Sequence, residues 1–183
     1  MQREYIRFSV IVIGILGVSL CGTNVWAAQS AAKAQKVTAS QLPAAVKQAI
    51  KDNCRNCTIA KATREVENGV TIYDIEFKNG QGEMDVAEDG TVVDRETVVQ
   101  AKDTPPPALE AIRRGAGGGK ITQIAKDEIR AELKDGTVIK LATPKYMYEA
   151  DLIKGKQVAE IQVSPEGQVT EPPKWRAKGA KEN

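Results

Sequence analysis

Residues 71–93, TIYDIEFKNGQGEMDVAEDGTVV, alternate apolar and polar side chains through two segments separated by glycine-bearing turns. Alternation at period two commits a segment to β-strand with one buried face, because successive side chains point to opposite sides. The same order of features returns at 148–170, YEADLIKGKQVAEIQVSPEGQVT. In each stretch a Tyr-acidic pair opens one strand (Tyr73-Asp74, Tyr148-Glu149). An acidic-apolar alternation (83–86, 160–163) then runs into Asp89-Gly90 or Glu166-Gly167. A chain patterned this way has to bury sheet faces against something else.

The first covering element precedes the first stretch. Ser40 and Pro43 suit a helix start, and Leu42, Val46, Ala49 and Ile50 recur at helical spacing, so the pattern predicts a short helix over 43–53. Strands are expected at 58–66, 70–77, 82–87 and 91–93, joined by turns at Asn68-Gly69, Asn79-Gly80 and Asp89-Gly90. Thr71, Tyr73, Ile75 and Phe77 should face inward with Met84 and Val86. Asp74, Glu76, Glu83 and Asp85 should face outward.

The segment AKDTPPP at 101–107 marks a boundary, since consecutive prolines continue neither a strand nor a helix interior. The pattern then restarts. Ala108, Leu109 and Ile112 mark a shorter helix broken at 115–119, and 121–129 opens a sheet that turns at Asp135-Gly136. Tyr146, Tyr148, Ala150 and Leu152, then Ala159, Ile161 and Val163, should face inward; Glu149, Asp151 and Glu160 should face outward. The second copy is longer, and the excess at 130–145 predicts an enlarged hairpin. The fold class expected is α+β: two tandem units, each a short helix packed on a meandering antiparallel β-sheet. The units span 39–100 and 105–170, preceded by a flexible Ala-, Gln- and Lys-rich leader (28–38). A mobile basic tail (171–183) follows, with Trp175 as a docking residue.

Residues 1–27 stand outside this scheme. Arg3 and Arg7 precede the apolar run FSVIVIGILGVSL (8–20), and Val25-Trp26-Ala27 offers small residues for signal-peptidase cleavage. An exported chain beginning near Ala28, periplasmic or secreted and with no stable membrane span, is the leading expectation. Lipidation at Cys21 and an uncleaved anchor are the alternatives; Leu20 is a poor fit to the small residue that lipidation requires. Removing 1–27 leaves 24 basic and 23 acidic side chains, a net +1, which lacks the basic excess of a nucleic-acid binder.

Cys54 and Cys57 (CRNC) are the only cysteines after residue 27. An even count in an exported chain favours a disulfide. A redox-active pair prefers a helix N-terminus, and this one follows a predicted C-terminus. The sequence contains no His, which removes the commonest general base and metal ligand. RGAGGGK (114–120) fails as a phosphate loop, with Arg114 in place of the first Gly and Ile121 in place of Ser or Thr. No cofactor and no catalytic residue are expected. Asp74, Glu76, Glu83, Asp85, Glu149, Asp151 and Glu160 are the candidate interaction surface, weighed against an ordinary solvated face.

The motifs LPAAVKQAI (42–50), YDIEF (73–77) and EMDVAEDGTVV (83–93) resemble the PepSY family, and within it the beta-lactamase-inhibitor-like, PepSY-like proteins. PPALEAI (106–112), YEADL (148–152) and EIQVSPEGQV (160–169) repeat the resemblance. It covers roughly 39–170. It implies small exported domains that bind or inhibit other proteins, notably peptidases, with no chemistry of their own and no catalytic residue to carry over. The function expected is therefore a non-enzymatic protein-binding module that inhibits an envelope hydrolase or peptidase. The alternative is a small-ligand or cation sensor using the acidic face. An unrecognised hydrolase ranks last.

Overall fold

The alternating segments form the strands their spacing predicts in a computed structural model, which describes residues 32–179. The expected signal peptide, its cleavage site and Cys21 lie outside the described residues, as do 180–183. Strands β1 (Ala32–Val37), β2 (Ile59–Glu67), β3 (Val70–Phe77), β4 (Glu83–Ala87) and β5 (Val92–Val99) are followed by β6 (Lys120–Lys134), β7 (Thr137–Lys154) and β8 (Gln157–Val163). Two short strands, β9 (Val169–Glu171) and β10 (Arg176–Ala177), complete the set. Helices α1 (Ala44–Asn53) and α2 (Pro106–Ala116) precede the two groups of strands. The strands pair antiparallel in the order β1-β2-β3-β4-β5-β6-β7-β8-β10, with β9 also on β8.

Each helix covers its own stretch of that sheet. Val46, Ala49 and Ile50 of α1, with Leu42, pack on Tyr73, Ile75, Phe77, Met84 and Val86. Ala108, Ala111, Ile112 and Ala116 of α2 pack on Ile124, Tyr148, Ala150, Leu152, Ile161 and Val163. Close helix-to-sheet approach over α2 follows from its alanines, whose small side chains let the backbone sit low. Pro105 caps α2 and Pro106-Pro107 occupy its first turn, where a missing N–H costs no hydrogen bond. The prolines thus start the helix, which at 11 residues exceeds the 10 of α1 and runs through Gly115 to a left-handed cap at Gly117.

Several segments depart from the sequence expectation. Residues 32–37 of the expected leader form β1, with Val37 opposite Ala62 and Ala32 opposite Val66. Strand pairing is a backbone interaction, so an edge strand needs no apolar alternation. β5 runs six residues beyond Val93 and binds β4 on one side and β6 on the other (Met84 opposite Arg95, Glu96 opposite Asp127). The two groups of strands therefore share one continuous sheet. Residues of the expected mobile tail pair through β10 with β8, and Trp175 packs half-buried on the α2 cluster. Tyr146, expected inside, is exposed, with the Lys126 ammonium 4.1 Å from its ring centroid.

The enlarged hairpin is a continuation of β6 and β7, closed by Asp135-Gly136 in the positive-φ pair of a tight hairpin turn. Its end reaches back to the β2–β3 turn. The Gly136 N–H donates to the Asn68 carbonyl at 2.7 Å, and Asn68 Nδ2 donates to the Leu133 carbonyl at 3.2 Å. Leu133 and Val138 thereby cover Val70, Ile72, Ala87 and Val93 on the helix-free side of the sheet.

Candidate functional site

The carboxylates singled out in the sequence lie on the sheet face opposite the helices, brought into rows by strand register. Thr63, Asp74, Asp85 and Asp94 stand directly across from one another on β2, β3, β4 and β5. Glu76 faces Glu83 across β3 and β4, and Lys61 reaches Glu76 at 3.9 Å. Further along, Glu96 faces Asp127, Asp151 faces Glu160, and Gln162 lies between Glu149 on β7 and Glu171 on β9. Side chains directly opposite in an antiparallel pair have Cβ atoms about 4.5–5.5 Å apart, so these rows hold like charges at close range.

This face is less solvated than alternation suggests. Asp74, expected to point to water, is 6 % exposed, and it accepts a hydrogen bond from Thr63 Oγ1 at 3.4 Å. Glu76, Glu83, Asp85, Glu149, Asp151 and Glu160 are all half-buried. On the same side of the sheet the β6–β7 hairpin returns toward Asn68 and packs Leu133 and Val138 on Val70, Ile72, Ala87 and Val93. Sequence reading missed Asp94, Glu96 and Asp127 on the same face. The first two lie on the part of β5 beyond the expected strand. Asp127 sits in IAKDEI, where parity with Ala125 marks the face opposite Ile124 once β6 is recognised as one strand.

Burial and crowding make carboxyl groups here weaker acids. Asp127 is pushed well above the ordinary carboxylate range, first by burial and then by the charges of Asp94, Glu149, Glu96 and Glu83. Glu149 is pushed up to about 8, first by burial and then by Glu160, Asp151, Glu171 and Glu83. At about 8, the Glu149 carboxyl holds its proton at neutral pH. Among the described residues no group of three or more Cys, Asp or Glu side chains is arranged to hold a metal ion, so the carboxylates form an extended array.

Cys54 and Cys57 follow α1 with their Cα atoms 5.3 Å apart, within the separation a disulfide spans. They pack at the margin of the α1 cluster. Beside them, Asn53 accepts from Arg95 through its carbonyl at 2.6 Å and from Arg130 through Oδ1 at 2.5 Å. No helix among the described residues is long and apolar enough to cross a membrane.

No protein-family model and no curated protein sequence matches the chain. Its fold is similar to those of solved proteins from Bacteroides. A protein of Bacteroides eggerthii taken to be periplasmic shares 12% identity over 74% of this chain and 88% of its own, with a TM-score of 0.50. A DUF2874 family protein of Bacteroides uniformis gives the same identity, coverage and TM-score: 12%, 74% and 88%, and 0.50. A BLIP-like protein of Bacteroides fragilis shares 16% over 77% of this chain and 92% of its own, at a TM-score of 0.48. The likeness is one of fold: helices on a meandering antiparallel sheet.

Proposed function

We propose that this is an exported binding module of the periplasm or cell exterior, without enzymatic chemistry, that engages another envelope protein through its acidic sheet face. The observation carrying the reading is the array itself. Carboxylates from β3, β4, β5, β6, β7 and β8 share one half-buried, helix-free surface. The fold likeness to a protein taken to be periplasmic supports the compartment. The PepSY-like motifs support an inhibitory role toward a hydrolase or peptidase. Two features support tandem copies. The Ala87 N–H donates to the Thr91 carbonyl at 2.8 Å and the Gly90 N–H to the Ala87 carbonyl at 2.8 Å; Ser164, Gln168 and Gly167 repeat this at 2.8 and 2.9 Å. Each turn also lies beneath the first turn of its helix. A Cys54–Cys57 disulfide fits an exported chain and anchors the end of α1.

The test is capture from envelope extract on immobilised chain 28–183, followed by assay of the captured protein. A hydrolase whose activity falls when the purified chain is added, and whose capture is lost with D85N/E149Q, supports the reading. Capture unaffected by those changes places the interface elsewhere. A chain that captures nothing but is stabilised by simple cations fits the sensor alternative instead.

A further inference from the structure

One end of the second group of strands gathers positive charge. Segments 113–121, 152–158 and 173–179 hold three, two and three Lys or Arg side chains and no Asp or Glu. Backbone pairing brings the three segments together. Lys120 opens β6 opposite Ile153 on β7, and the Lys154 ammonium donates to the Gly117 carbonyl at 2.8 Å. Arg176 on β10 lies opposite Val158 on β8, and the Lys178 N–H donates to the Lys156 carbonyl at 2.9 Å. The end of α2, the β7–β8 turn and β10 thus form one basic rim.

Ordinary roles account for only part of this rim. Arg113 and Arg114 suit the negative end of α2, and Arg114 pairs with Glu110. The Lys154 ammonium meets a carbonyl, which leaves its charge unneutralised. Arg113, Lys120, Lys156, Arg176 and Lys178 pair with no carboxylate among the described residues, and all but the half-buried Arg176 are exposed. Between them the backbone is uncovered: Gly118, Gly155 and Gly179 have open space where a side chain would stand. Trp175 sits half-buried in their midst, its ring 3.2 Å from where a Cβ on Gly119 would be. From Lys120 on β6 to Arg176 on β10 the rim crosses three strand spacings, roughly 14 Å. That is too wide for one small anion to neutralise, and it fits a broad anionic surface. An indole beside such charges favours the boundary between an apolar and a wet phase.

We propose that this basic rim docks on the anionic phospholipid headgroups of a membrane surface, with Trp175 at headgroup level. The proposal goes beyond the protein-binding reading of the acidic face and does not depend on it. Each Lys or Arg brought near an anionic leaflet strengthens binding about fivefold, so several together hold the chain at the surface without a membrane span. The attraction is electrostatic and is screened by salt.

Trp175 is the only tryptophan of chain 28–183, so its emission reports on this rim alone. The experiment is flotation of that chain with vesicles of phosphatidylcholine and phosphatidylglycerol at about 70:30, against pure phosphatidylcholine, at about 0.1 M salt. Binding to the mixed vesicles alone is expected, with a blue shift of the Trp175 emission and about tenfold or greater weakening at about 0.5 M salt. K156E/K178E should weaken binding by about 25-fold or more. R113Q/K120Q serves as the second variant, with thermal melts establishing that each folds. K51E/K134E changes the net charge as much as K156E/K178E but lies on α1 and the end of β6, and it should bind like the unaltered chain. No binding, equal binding to both kinds of vesicle, or binding with unshifted Trp175 emission overturns the proposal. So does binding that K156E/K178E and R113Q/K120Q leave intact, or that K51E/K134E weakens equally. Binding of soluble polyphosphate without binding to vesicles also overturns it, because the rim would then serve a free anion.

Discussion

A Cβ placed on Gly167 would stand 2.5 Å from the carbonyl oxygen of Pro107, in the first turn of α2. Gly90 has the same relationship to Ala45 in the first turn of α1, at 2.9 Å. Both glycines also hold positive φ, 85° and 88°. A side chain at either position meets backbone strain and backbone contact together. G167A and G90A are each expected to lower stability by about 2–4 kcal/mol, combining left-handed strain with displacement of a helix start. Gly80, also at positive φ but with open space around it, should cost only about 1 kcal/mol as Ala. Chemical denaturation of the three variants measures this, and equal losses at all three would show that the helix contact contributes nothing.

Tyr73 and Tyr148 occupy matching places in the two clusters, 5 % and 7 % exposed beneath α1 and α2. Y73A and Y148A are each expected to cost about 3–5 kcal/mol, the range for losing a buried aromatic ring. Because both clusters sit on one continuous sheet, either change should melt in a single transition. Two resolved transitions in a calorimetric scan would contradict that coupling.

Much of this arrangement was legible because local pattern and final environment agree. Tyr73, Ile75 and Phe77 alternate in sequence and are buried under α1 in the structure; Tyr148, Ala150 and Leu152 do the same under α2. What sequence reading missed depends on distant partners. AKAQKV reads as a polar leader, and becomes β1 only because β2 has a free edge to pair with. Asp74 has the parity of a solvated residue but is buried between Thr63 on β2 and Asp85 on β4, neighbours that only strand register supplies. Tyr146 continues the inward parity of Tyr148 but lies outside the cluster packed beneath α2, and it stays exposed. Asp127 joins the acidic face through β5, whose length VVDRETVV does not announce.

Asn53 connects the end of α1 to β5 and β6 through Arg95 and Arg130. N53A keeps the backbone carbonyl for Arg95 but removes the acceptor of Arg130, which retains Glu128 at 2.9 Å. A loss of about 1–2 kcal/mol is expected, since a half-buried charged donor loses one acceptor. N53A combined with R130A should cost little more than R130A alone, and a double-mutant cycle checks this. Additive losses would mean that the two side chains do not act together.

Reduction should affect the fold modestly if Cys54 and Cys57 are bonded. Their sequence separation of 3 closes a small loop, for which the chain-entropy relation gives roughly 2 kcal/mol. C54S/C57S is expected to melt a few degrees lower than the oxidised chain and to coincide with the reduced one. The acidic-face binding should persist, because the pair lies by α1 on the opposite side of the sheet. Loss of binding on reduction would instead tie the pair to the face.

The acidic face should also impose an unusual pH profile on stability. Glu149 in the folded chain titrates at about 8 against an ordinary value of 4.5, so the folded state holds its proton more tightly than the unfolded one. Its favourable contribution is full below about pH 4.5 and is lost as pH rises to about 8, by up to about 1.4 kcal/mol per pH unit. Asp127 acts in the same direction. Asp89 opposes them, since the Thr91 N–H holds its carboxyl below the ordinary 3.8; that contribution is lost only as pH falls through this lower range. The unaltered chain is therefore expected to melt several degrees higher at pH 6 than at pH 8. E149Q should flatten this difference mainly by gaining stability at pH 8, where the native carboxyl begins to ionise among Glu160, Asp151 and Glu171. Melts that are identical at pH 6 and pH 8 for the unaltered chain would show that these carboxyls are solvated in solution.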